Sequence, residues 1–138
     1  MYLLDTNVIS EFRRGSNANP GVRAFFLTAK TNGSGVFLSV TTVCELRRGI
    51  ELLRHRNDLA QADLLEKWLE RILVDYLGRI LEVDLATAQI WGRLRVPQAH
   101  HELDKLIAAT ALTNRLTVVT RNTGDFAGTG VKLLNPFT

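Results

Sequence analysis

Met1-Tyr2-Leu3-Leu4-Asp5-Thr6-Asn7 opens the chain. Residues 1–5 read as a short strand with no charge before its last position, as expected of a strand covered on both faces. An acid that ends a buried strand needs a partner, because a carboxylate taken out of water alone is costly. A second run of the same kind, Leu116-Thr117-Val118-Val119-Thr120, is rich in β-branched residues and leads into the polar loop Arg121-Asn122-Thr123-Gly124-Asp125. Between these two runs, strand and helix signals alternate. The turn Asn32-Gly33-Ser34-Gly35 precedes a strand at 36–40, and further strands are expected at 80–83 and 131–134.

The helical segments are set by spacing and by caps. A short helix is expected through Val8, Ile9 and Phe12, and another over 22–29 with Pro20 in its first turn. Thr41 or Thr42 is expected to cap a helix whose apolar face is Val43, Leu46, Ile50 and Leu53. A longer helix over 58–76 carries Leu65, Trp68, Leu69, Ile72, Leu73 and Tyr76 at helical period. Asp84 is expected to cap a helix with Ala88, Trp91 and Leu94 on its buried face, and a last helix covers 103–113. This alternation predicts an α/β fold: a three-layer α/β/α sandwich around a mostly parallel central sheet, in a single domain over residues 1–138.

Composition narrows the possibilities without naming a function. Of 138 residues, 46% are hydrophobic and 22% charged, as in an ordinary globular protein. One cysteine, Cys44, excludes an internal disulfide, and the three histidines, His55, His100 and His101, lack zinc-finger spacing. No stretch approaches the length of an apolar membrane span, and no basic, then apolar leader opens the chain, so a reducing cytoplasm is the expected setting. The net charge of +3 is only mildly basic, but thirteen of the 17 basic residues are arginine, whose planar fork suits phosphate. Genome bias and solubility account for that excess equally well.

Four acids fall where an open parallel sheet binds its ligands, outside the carboxyl ends of the strands. Asp5 ends the first strand, Glu45 lies about one turn into the helix after the 36–40 strand, and Asp125 lies in the loop after the 116–120 strand. Asp104 stands in the first turn of the 103–113 helix, with no clear strand before it. Carboxylates gathered in one cleft stay ionised together only around a cation or basic partners. All-oxygen ligation favours magnesium or manganese, and such a cation polarises a phosphoryl oxygen and activates water. Each acid also has a purely structural reading. Glu45 and Asp104 suit helix N-termini, Glu45 is placed to pair with Arg48, and Asp125 suits a turn after Gly124. Asp5 is the hardest to explain that way.

Four stretches together resemble the PIN-domain family, and within it the VapC-type toxin ribonucleases. They are Leu3-Leu4-Asp5-Thr6-Asn7-Val8-Ile9-Ser10-Glu11, the segment 38–50 containing Cys44-Glu45-Leu46-Arg47-Arg48-Gly49, the run Asp104-Lys105-Leu106-Ile107-Ala108-Ala109, and Val119-Thr120-Arg121-Asn122-Thr123-Gly124-Asp125-Phe126. The closing Leu134-Asn135-Pro136-Phe137 adds to the likeness, which runs over nearly the whole chain in order. The resemblance implies a metal-dependent endoribonuclease, the toxin half of a VapBC-type pair, with Asp5, Glu45, Asp104 and Asp125 as its catalytic acids. It also implies that magnesium or manganese is held by Asp5, Asp104 and the loop from Thr120 to Asp125, with Glu45 binding directly or through water.

In that loop Asn122 stands where some members place an acid, so the resemblance leaves Asn122 and Asp125 as alternatives for the fourth position. Asn7 and Thr120 are placed to orient carboxylates, although Asn7 equally suits a local helix cap. Arg47, Arg48 and Arg121 near the expected mouth are candidates for RNA phosphate contacts. Lys105 reads as a solvated helix-face lysine or a phosphate contact, and His100 and His101 as a polar loop or a general base. The resemblance further implies an RNA substrate, a homodimer and a cognate antitoxin that binds DNA through its own N-terminal domain. The helices over 43–53 and 58–76 offer a partner surface, though most of their apolar residues are expected in the core. Competing readings are a PIN-like nuclease acting on DNA and a non-catalytic antitoxin-binding module. A phosphate-responsive receiver lacks the paired acids it needs at the first strand.

Overall fold

The structure, a computed structural model, describes residues 1–138. In chain order the elements are β1 (Tyr2–Leu4), α1 (Thr6–Phe12), α2 (Pro20–Thr31), β2 (Val36–Ser39), α3 (Val40–His55) and α4 (Leu59–Asp75). They continue with β3 (Ile80–Leu81), α5 (Leu85–Leu94), α6 (Glu102–Asn114), β4 (Thr117–Val119) and β5 (Leu133–Leu134). Two 3-10 turns, Gly15–Asn17 and Thr123–Phe126, complete the list.

The five strands form one sheet in the order β3-β2-β1-β4-β5. Every pairing is parallel, with Leu3 beside Phe37 on one side and Val118 on the other. The sheet is therefore wholly rather than mostly parallel. Because β1 is central, the chain builds outward through β2 and β3 on one side and through β4 and β5 on the other. The boundary between β1 and β4 is the point where strand order reverses, and ligands bind at such points outside the carboxyl ends. Asp5 follows β1 there, and Thr120 follows β4.

Alternation along the strands sorts the core into two layers. Leu4 and Val119 pack with Val8, Ile9, Val22, Leu46, Ile50, Leu69 and Ile72 from α1 to α4. Leu3 and Val118 point the other way, onto Ile107, Ala108 and Ala111 of α6 and onto Phe126. Helices on both faces make the α/β/α sandwich that the alternation of elements predicts. Truncating a fully buried leucine such as Leu4 or Leu69 to alanine costs about 2–5 kcal/mol in sites of this kind.

Local chemistry sets the helix starts that carry the site. Ser39, rather than Thr41 or Thr42, caps α3: its extended backbone ends β2, and its hydroxyl accepts from the Thr42 N–H at 3.2 Å. The cap at the strand end lets α3 leave the sheet without a loop. Asp84 caps α5 by accepting from the Thr87 N–H at 2.8 Å. On α5, however, Ala88 is exposed and Thr87 is buried, its hydroxyl bonded to that of Thr113 at 3.1 Å. A small hydroxylated residue fits the close approach of α5 and α6, because a helix partner satisfies its oxygen.

Candidate active site

Asp5 is 5% exposed, the most deeply buried acid of the chain. It caps α1, its Oδ1 accepting from the Thr6 N–H at 2.7 Å. Its Oδ2 accepts from the Thr120 hydroxyl at 2.7 Å and from the Asn7 amide at 3.3 Å. Thr120 in turn accepts from the Asn122 backbone N–H at 3.0 Å, and the Asn7 side-chain oxygen accepts from the Arg121 N–H at 3.2 Å. The loop after β4 is thus tied to the residue that ends β1. Burial pushes the Asp5 carboxyl above its ordinary value against these hydrogen bonds, and the charge of Asp125 adds to the rise.

Glu45 comes from the second turn of α3. Its Oε1 accepts from the Thr6 hydroxyl at 2.8 Å, and the same hydroxyl reaches Thr42 at 3.2 Å. Burial raises the Glu45 carboxyl, and the Asp5 charge raises it further. Thr6, whose residue type alone does not single it out beside Asn7, therefore links two of the acids. Its signal was its position directly after a strand-ending acid, where a hydroxyl reaches the next helix.

Asp104, the third residue of α6, is pushed up to about 6 by burial, then by the charges of Asp5, Asp125 and Glu45 in that order. The group that opposes this rise is His101, whose Nδ1 stands 3.6 Å from Asp104 Oδ2. The half-buried Asp125, in the 3-10 turn after β4, lies with them: one ligand atom each from His101, Asp104 and Asp125 fall within 4.8 Å of one another. Asn122 is exposed and joins the site through its backbone. Between the two alternatives in this loop, it is Asp125 whose carboxylate enters the acidic group.

The basic residues distribute differently from expectation. Arg47 forms a two-pronged pair with Glu66 of α4 at 2.6 and 2.7 Å, which engages the fork expected to meet phosphate. Arg48 is exposed, and Arg121 lies over the Phe137 ring at 4.1 Å. Lys105 is neither solvated nor at the surface. It is 9% exposed, and its ammonium donates to the Gln98 carbonyl at 2.5 Å, fastening the loop before α6 to that helix. A local reading of α6 misses this, because the partner lies in an irregular segment.

Burial and neighbouring carboxylates from separate segments thus raise Asp5, Glu45 and Asp104, and no arginine or lysine is among the groups that lower them. Ionised oxygen donors with no cationic side chain to balance them match a hard divalent cation, magnesium or manganese. Asp104 and Asp125 are close enough to share one ion. Asp5 stands outside this tightest group, held by Thr6, Thr120 and Asn7; Oδ2 accepts two of these bonds, and Oδ1, with one, keeps a lone pair free.

The family model described as the PIN domain matches residues 2–132. The chain belongs to the PIN-domain family. This PIN domain is 39% identical to Toxin FitB of Neisseria gonorrhoeae, with 99% of each chain covered. It is 29% identical to VapC ribonuclease Y4jK of Sinorhizobium fredii, covering 99% of this chain and 98% of the relative. Among solved structures, FitAcB from Neisseria gonorrhoeae superposes with a TM-score of 0.83 at 39% identity, over 99% of this chain and 98% of that one. The likeness spans the full sheet and all four acid-bearing segments.

Proposed function

We propose that this PIN domain is a magnesium- or manganese-dependent endoribonuclease, the toxin of a VapBC-type toxin–antitoxin pair. The observation that carries the reading is the gathering of Asp5, Glu45, Asp104 and Asp125 at the strand-order reversal, with Asp104 pushed up to about 6 by burial and the other three charges. In this reading Asp5, Asp104 and Asp125 hold the cation, and Glu45 completes the site directly or through water. When bound, the cation supplies charge to a phosphodiester oxygen and lowers the pKa of attacking water. Thr120 and Asn7 fix the Asp5 carboxylate, and Thr6 fixes Glu45, so the acids are oriented before substrate arrives. Exposed Arg48 and Arg121 are the phosphate contacts of this reading, whereas Arg47 stabilises the α3–α4 seam.

The antitoxin would occupy the groove of about 390 Å³ between α1, α3 and α4, where Leu53, Leu65 and Trp68 lead to Thr6 and Glu45 at its inner end. A homodimer, a single-domain chain and a cytoplasmic setting belong to the same reading. No helix of the protein is long and apolar enough to cross a membrane. Incubating purified, antitoxin-free protein with total bacterial RNA tests the proposal, with Mn²⁺ or Mg²⁺ against EDTA. Discrete cation-dependent cuts that vanish in Asp5→Asn support it. Folded protein that leaves RNA intact under both cations, or cuts a DNA control instead, overturns it.

A further inference from the structure

We infer that His101 supplies a nitrogen ligand to the divalent cation of this site, making it a mixed oxygen–nitrogen centre that prefers manganese to magnesium. The inference rests on the reading of the acids as a metal site, and the geometry around His101 takes it further. Ligand atoms in an octahedral sphere of about 2.1 Å radius stand about 3 Å apart when adjacent and about 4 Å apart when opposite. His101 Nδ1 is 3.6 Å from Asp104 Oδ2, and the group with Asp125 spans no more than 4.8 Å. Small side-chain rotations bring all three onto one ion.

The His101 ring is free to make that contact. At 3.6 Å its nitrogen is beyond hydrogen-bond distance from Asp104, and its side chain is 45% exposed. His101 occupies the N-cap of α6, where a side chain normally bonds a free helix N–H, yet it makes no such bond. Its backbone is left-handed, at φ 55° and ψ 43°, a conformation that costs a non-glycine residue about 1 kcal/mol or more and clusters at functional sites. Neighbouring His100 packs edge-on against the ring, with centroids 5.0 Å apart. A polar cavity of about 270 Å³, lined by Gln98, His100, His101, Lys105 and Asp125, gives an ion a path to the cluster from solvent. Magnesium takes oxygen and water and dehydrates reluctantly, whereas imidazole binds first-row transition ions, manganese the most weakly of them, so a histidine ligand shifts preference from magnesium toward manganese.

The test is pulsed electron paramagnetic resonance of Mn²⁺ bound to the full chain, with Mn²⁺ and Mg²⁺ affinities measured by titration. Wild type is compared with His101→Ala, and with His101→Asn, which tolerates the left-handed backbone while lacking the ring. The expected result is an imidazole-type ¹⁴N coupling in wild type that disappears in both variants. Mn²⁺ affinity falls about tenfold or more, and Mg²⁺ affinity changes far less. Mn²⁺ bound with no ¹⁴N coupling, and equally well by both variants, overturns the histidine ligand and leaves the acidic metal site standing. Wild type that binds no Mn²⁺ overturns both.

Discussion

Glu66 and Asp104 are two acids of similar exposure with opposite fates. Their side chains are 23% and 28% exposed, yet Glu66 is pulled down to about 2 and Asp104 is pushed up to about 6. At Asp104 desolvation is the larger cause and neighbouring charges add to it, whereas at Glu66 the neighbours decide. Hydrogen bonds from Arg47 and Arg54 hold Glu66 in its charged form across the α3–α4 seam. Asp104 is desolvated among three other acids, and only His101 offsets them. The seam is complete as folded, whereas on the proposed reading the acidic end of the sheet is completed by an added cation. On that reading, structural charge is paired at folding, whereas charge kept for chemistry is left to be paired by what binds.

Substitutions can separate these two regions. The largest effect is expected for Asp5→Asn and Asp104→Asn, each lowering cation-dependent RNA cleavage by about 100-fold or more while circular dichroism stays native. An unfolded Asp5→Asn would instead assign that acid to the framework. Next comes Thr120→Val, which keeps the shape and removes the hydroxyl that donates to Asp5 at 2.7 Å. It is expected to weaken cation binding or cleavage by about 10-fold or more, measured by titration and by initial rates. Unchanged kinetics would show that Asp5 is oriented without this bond.

The pH dependence of stability separates the regions in sign. The folded pKa of Asp104 lies above its ordinary 3.8, so the unfolded chain gives up this proton first. The resulting penalty is absent below about pH 4, grows toward pH 6 and is fully present above it. After allowance for partial exposure it amounts to about 2 kcal/mol in the cation-free protein. Asp5 and Glu45 are raised too and act in the same direction. Urea denaturation in EDTA at pH 4.5 and 7.5 measures the slope, and Asp104→Asn is expected to flatten it. Glu66 has the opposite sign: its contribution is present above its ordinary 4.5 and fades as pH falls toward 2. Glu66→Gln is therefore expected to bring the smallest change, a slight fall in Tm at neutral pH that salt diminishes, with cleavage intact. A large loss of cleavage in that variant would mean the seam also shapes the site.

Much of this fold was legible because its signals are local. The apolar runs at 1–4 and 116–120 identify the two central strands, and Asp84 marks the start of α5. What sequence left open depends on contacts between distant segments. Three hydroxyls in the Ser39–Thr42 stretch compete to cap α3, and the backbone at the end of β2 selects Ser39. Arg47 looked available to phosphate because its partner Glu66 is 19 residues away on another helix. Lys105 is buried by a carbonyl from an irregular segment that no periodicity announces. In the candidate site, all four acids were visible as residue types at strand ends and helix starts. The closeness of Asp125 to Asp104, and of His101 to both, follows from a left-handed backbone at His101 and a 3-10 turn after β4. Neither conformation has a strong composition signal.

On the proposed reading, the acidic end of the sheet is built to be completed by a cation. Thermal unfolding of wild type and Asp104→Asn at pH 7.5, in EDTA and in millimolar Mn²⁺, tests it most directly. The order of stability is expected to reverse. Asp104→Asn is the more stable in EDTA, and Mn²⁺ raises the Tm of wild type by several degrees but hardly moves the variant. A variant that is less stable in EDTA, with both proteins responding to Mn²⁺ alike, would contradict it.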